Sequence, residues 1–264
     1  MKRIKSALLS TACALFAAVA LPAQATTVVD NYVGFSGTKE CMGDEYCISS
    51  ADVTLTNTNV LTITINTVFA GLAGTTFLGQ TVGGTGIGYG DLFLASSLAG
   101  QVFPTANDDA SNGVVWTYGL ALDSNRFTSG DTGGTATLYK LGSGDNNIDA
   151  LLSDAFMTAP LDDYRNGQEV AVDTTSGGVT NSGIDGSWSA VGASDTVSFT
   201  VDLTGTDLEG TLANGIAFHW GMTCANDTIE GGIDAPNAVP VPASIWLMAS
   251  GLLGLVSVAR RRRK

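Results

Sequence analysis

Val53-Thr54-Leu55-Thr56-Asn57-Thr58-Asn59-Val60-Leu61-Thr62-Ile63-Thr64-Ile65-Asn66 alternates apolar and polar residues on both sides of a turn. Successive side chains of a strand point to opposite faces, so a period of two gathers the large aliphatics on one side. Val53 and Leu55 form that side before the turn, and Leu61, Ile63 and Ile65 form it after. Asn57-Thr58-Asn59 offers the short polar side chains that tight turns favour. The stretch predicts an antiparallel hairpin with one buried face.

Outward from this hairpin the same period recurs and helical spacing is nearly absent. Short strands are predicted over 91–94, 136–141 and 169–173. Another is predicted over 114–122, with Trp116, Tyr118 and Leu120 on one face. Val197, Phe199, Val201 and Leu203 alternate with polar partners, as do Ile216, Phe218, Trp220, Met222 and Cys224. The stretch from Gly71 to Gly90 holds eight glycines and reads as a long loop. Only Ile148 to Met157 has the spacing of a short helix, with capping-type residues before it. The expected fold is all-β: an antiparallel β-sandwich of jelly-roll type with one short helix, a closed barrel being the alternative.

Both ends read as targeting segments. Lys2, Arg3 and Lys5 precede an apolar run from Ala7 to Leu21, and Ala23-x-Ala25 follows. This is the pattern of a secretory signal peptide over 1–25, cleaved after Ala25 by signal peptidase. At the other end, residues 239–264 read VPVPASIWLMASGLLGLVSVARRRRK. Pro240 and Pro242 disfavour helix before them. The seventeen uncharged residues from Ala243 to Ala259 would span ~25 Å as a helix, near the ~30 Å hydrocarbon thickness. Trp246 suits one membrane interface, and Arg260, Arg261, Arg262, Arg263 and Lys264 hold the other end cytoplasmic. The body, 26–238, is then an exported domain of one-core size.

A plain transmembrane anchor would share this composition. The tail closely resembles the PEP-CTERM sorting signal of Gram-negative bacteria, in the variant that begins Val-Pro-x-Pro. Val239, Pro240, Pro242, Trp246, Leu247 and Gly251 through Leu255, with Gly254 among them, carry the resemblance together with the arginines. Val241 stands where the named motif has Glu. The resemblance implies recognition by an exosortase, a membrane protease-transpeptidase, followed by release or transfer to the cell surface. It also implies an association with exopolysaccharide and biofilm matrix. In the body, DNYVGF, LTITINTVFAG, GYGDLFL, YRNGQEVAVDT and HWGMTCANDTIEG resemble blocks of an uncharacterised family of PEP-CTERM exported proteins. That likeness implies one continuous domain and no known activity.

Charge narrows the partners. Lys39, Arg126, Lys140 and Arg165 are the body's four basic residues, against twenty-five acids, a formal charge of −21. Such a body repels nucleic acid and anionic polymers and attracts cations. The body has three cysteines, and an oxidising compartment is expected to pair two. Cys41 and Cys47 flank a polar turn and are the predicted disulfide, leaving Cys224 a buried thiol; Cys224 with either of them is the alternative.

Catalytic patterns are thin. His219 is the one histidine, which excludes a multi-histidine metal site and leaves a single base for any Ser-His-Asp triad. No G-x-S-x-G is present. Asp131-Thr132-Gly133 and Asp173-Thr174-Thr175 have the lettering of aspartic-protease loops without the apolar strand before Asp131. Structural Ca²⁺ is the one cofactor candidate. Asp145, Asn147 and Asp149 place oxygens at alternate positions, without the Gly and Glu of an EF-hand loop; the same residues equally suit a helix cap. A second oxygen set would join Asp30 and Asn31 to Asn226, Asp227 and Glu230 if the body's ends meet. Trp116, Trp188 and Tyr118 suit either a core or a sugar-stacking face.

These features point to a non-catalytic, surface-sorted structural or adhesive component of the cell surface or matrix. The alternatives are a carbohydrate-binding module for exopolysaccharide, marked by an exposed aromatic row, and a glycan-active hydrolase, marked by two carboxylates in a cleft. The membrane is the partner of the C-terminal segment until processing.

Overall fold

The computed structural model describes residues 24–31, 41, 44–75, 86–96, 103, 114–142, 169–225 and 227–234. Ten strands are described: β1 (Gln24–Val29), β2 (Ile48–Leu55), β3 (Val60–Thr67), β4 (Leu92–Ala95), β5 (Tyr118–Leu122), β6 (Thr132–Lys140), β7 (Thr180–Val191), β8 (Thr196–Asp202), β9 (Ile216–Gly221) and β10 (Thr228–Ile233). They form one sheet in the order β1-β2-β3-β8-β7-β6-β5-β4-β9-β10. Every neighbouring pair is antiparallel.

The predicted hairpin is β2–β3, with Val53 opposite Ile63 and Leu55 opposite Leu61. Asn59 takes the left-handed conformation in its turn, at φ 64°, which asparagine tolerates better than most residues. The register carries the apolar face on: Val53, Ile63, Phe199 and Trp188 lie in one cross-strand row. All four are buried. Burying each such side chain contributes roughly 1.5–3 kcal/mol.

The two-sheet sandwich is corrected: a single sheet curls until its edge strands meet, a nearly closed barrel-like form. Right-handed twist accumulates over ten strands, and register shifts at Ile48/Ser50 and Leu138/Tyr139 bend the sheet further. The edges meet where Val28 of β1 lies on Gly231 of β10; a Cβ there would sit 2.6 Å from Val28 Cγ1. Asp227 reinforces the seam, its Oδ2 accepting the Ile48 amide at 2.7 Å.

Two further expectations change. Residues 169–173 form no strand of the sheet, and 114–117 precede β5 without joining it. These two segments supply a second, smaller core over the outer face of β4 and β9, made of Phe93, Ala95, Val114, Trp116, Leu141, Val172 and Ala217. Trp116 therefore packs away from Tyr118 and Leu120, which belong to the main core. The predicted helix over 148–157 lies outside the described residues.

An even number of strands, each antiparallel to its neighbour, puts the start of β1 and the end of β10 at one pole. The β2–β3 turn and the end of β8 share that terminal pole, since Gln24 faces Leu55 and Val60 faces Asp202. The opposite pole holds the end of β1, the start of β2 and the β7–β8 turn, where Thr67 N–H donates to Asp195 O at 2.8 Å.

Candidate functional site

Two buried polar centres tie the covering segments to the sheet. The first is His219, fully buried on β9. Its register partners are Phe93 on β4 and Glu230 on β10. The Phe93 and Trp116 ring centroids lie 5.9 and 5.6 Å from the imidazole. Nδ1 is 2.9 Å from Glu230 Oε1, and Nε2 is 2.8 Å from the backbone oxygen of Glu169. A carbonyl oxygen only accepts, so Nε2 carries a hydrogen. The Nδ1–Oε1 bond then needs a second proton, held either as imidazolium facing carboxylate or as neutral imidazole accepting from the carboxyl group. In both forms Nε2 holds the covering segment, and both ring nitrogens are engaged by protein groups.

The second centre is Asp91 with Arg126, both buried. Arg126 Nη2 donates to Asp91 Oδ1 and, at 2.9 Å, to Leu122 O. The Leu122 amide also donates to Oδ1, and the Val172 amide to Oδ2, each at 2.8 Å. Burial pushes the Asp91 carboxyl above the usual carboxylate range, while the Arg126 charge and the two amides pull it back. Asp91 N–H donates to Val170 O at 3.0 Å. The stretch 169–172 is thus held at three points: by His219 at Glu169, and by Asp91 at Val170 and Val172. Sequence reasoning missed this pair, although Arg126 stood out as one of four body cations.

The other singled-out residues are placed as follows. Cys41 and Cys47 form a disulfide with Cα atoms 5.3 Å apart, and Cys224 is buried. The body's ends do converge: Asp30 N–H donates to Ser49 O at 3.1 Å, beside the Ile48 amide that Asp227 accepts. Yet Asp227 spends its other oxygen on the Thr228 amide, at 3.0 Å, and Glu230 turns to His219. Among the described residues no three acids, histidines or cysteines gather to hold a metal. Asn226, Asp145, Asn147 and Asp149 lie outside the described residues, as do Ala23 and the whole tail from Val239. Ala25 lies in β1, opposite Thr54.

Asp131 Oδ1 accepts the Gly192 amide at 2.8 Å, and Asp173 Oδ1 accepts the Thr175 amide at 2.9 Å. Asp131 thereby ties the start of β6 to the β7–β8 turn, Asp173 closes its own turn, and no hydrogen bond joins the two. Trp116, Tyr118, Trp188 and Trp220 are all buried. The large hydrophobics exposed among the described residues are Val29, Val68, Leu72 and Val115, none of them aromatic. Among the described residues no helix is long and apolar enough to cross a membrane.

Residues 238–264 match the family model described as the PEP-CTERM protein-sorting motif. The match covers the tail alone and identifies no family for the body. No curated protein and no solved structure matches the chain. The motif marks an exported protein sorted to the surface through exosortase, its processing partner.

Proposed function

We propose that this exosortase-sorted exported protein is a non-catalytic structural or adhesive component of the cell surface or extracellular matrix. The sorting motif at 238–264 carries the proposal. Three features of the body support it. Its histidine has both ring nitrogens engaged by protein groups. Its described tryptophans are spent on cores, which counts against the stacking row that a carbohydrate-binding module of that type needs. Its surface is acidic, which favours solubility and repels anionic polymers.

The test follows the chain in the producing cells. Intact mass of protein from cells and from medium should give a species that starts at Thr26 and ends near Pro242. Deleting the coding sequence should weaken cell–cell or cell–surface adhesion. A species found only in membranes and retaining Arg263 and Lys264 would make the body an envelope-tethered domain. Unchanged adhesion in the deletion strain would count against the role itself.

A further inference from the structure

The two hydrophobic segments that flank the body leave it from the same place. β1 begins at Gln24 and β10 ends at Ile233, and the even, fully antiparallel strand order puts both at the terminal pole. Closure of the sheet makes them neighbours there as well, because Val28 of β1 rests on Gly231 of β10. The apolar run of the signal ends at Leu21 and that of the tail starts at Ala243. Fully extended, the chain from Leu21 to Gln24 reaches at most ~10 Å, and from Ile233 to Ala243 at most ~35 Å.

We infer that the unprocessed chain stands on the membrane by the terminal pole, so that signal peptidase and exosortase both approach the body from that pole. The inference rests on the sorting signal and not on the adhesive role. The terminal pole comprises the β2–β3 turn at Asn57 and Thr58, the end of β8 at Asp202, the exposed Lys140–Asp207 pair and Glu209. With four acidic residues around one lysine once Asp234 is added, its described residues offer no basic patch to bind anionic lipid. The tether, not lipid affinity, sets the orientation. The opposite pole then faces outward. It carries Val29, 69% exposed, with Val68 and Leu72, and the disulfide next to the start of β2. It is the surface offered to the exterior while the tail is in place.

Energy transfer to acceptor-labelled headgroups tests this in vesicles holding the tail-bearing chain. A single donor is attached through Asn57→Cys at the terminal pole or Ala193→Cys at the opposite pole, both exposed turn positions. The seven residues of β8 lie between these turns. At ~3.3 Å each they separate the two labels by about 20 Å. Transfer from position 57 should exceed that from position 193, and both should vanish for a chain that starts at Thr26 and stops after Asp234. Equal transfer, or stronger transfer from position 193, overturns the inference. Neither result bears on adhesion, so the two proposals fail separately.

Discussion

Substituting Gly231 tests barrel closure directly. A Cβ on this residue would lie 2.6 Å from Val28 Cγ1, 2.9 Å from Cγ2 and 3.3 Å from Cβ. The first two are overlaps that no rotation of an alanine methyl relieves, so β1 must lift from β10. Overpacking of this kind costs typically about 1–3 kcal/mol. For a body of this size that lowers Tm by roughly 2–4 °C per kcal/mol. Val28→Ala removes both Cγ atoms and leaves one 3.3 Å contact, which the seam can absorb. Gly231→Ala should therefore be distinctly less harmful in the Val28→Ala background than in the natural chain. The coupling, measured by urea or thermal unfolding across the double-mutant cycle, should be on the order of 1–2 kcal/mol. Additive costs would mean that Val28 and Gly231 do not touch, and the seam would have to be redrawn.

Arg126→Met should destabilise the body by about 3–5 kcal/mol by stranding the Asp91 charge, and Asp91→Asn in the same chain should restore part of it; equal loss in both variants would sink the ion-pair account. Asp173, Asp202 and Asp207 have depressed folded-state pKa values, caused first by hydrogen bonds from Thr175, Thr204 and Lys140 respectively. Their contribution is present above the unfolded value of about 3.9 and is lost as pH falls through the lower folded values. Asp91, raised by burial, has the opposite sign: its term grows as pH falls through the folded value, so unfolding midpoints across pH 3–6 should lose less on acidification when Asp202 or Asp173 is replaced by Asn and more when Asp91 is. The ring nitrogens of His219 should show a protonated, slowly exchanging Nε2 by NMR, and a bare Nε2 would refute the bond to Glu169 O.

How legible the fold was depended on what fills the inward positions. β3 and β8 announced themselves because those positions are Leu61, Ile63, Ile65, Val197, Phe199 and Val201. β7, the longest strand, went unread because glycine takes one of them. At Gly186 a Cβ would lie 2.6 Å from Thr200 O, so that position must be small, and the apolar period is broken there. β10 was missed for the same reason at Gly231. β9 showed one apolar face but hid the other, since Ala217 and His219 are covered by segments far away in sequence. Alternation fixes which face is buried but not how far a sheet curls, so barrel and sandwich looked alike until the edges were placed. The Glu169 oxygen that meets His219 is 50 residues distant, and no local spacing could have paired them.

The position of Ala25 constrains the order of events during export. Signal peptidase needs its substrate extended and unpaired, but in the folded body Gln24 and Ala25 lie opposite Leu55 and Thr54. If signal peptidase cuts after Ala25, as the sequence predicts, the cut has to precede the pairing of these two residues or wait for the end of β1 to fray. Fraying is inexpensive here because β1 is an edge strand and its first residues are joined to one neighbour only. What would remain of β1 after that cut, Thr26 to Val29, still includes Val28, the residue that meets Gly231. The contact that closes the sheet thus lies on the mature side of the predicted cut. The barrel can therefore close before or after that cut.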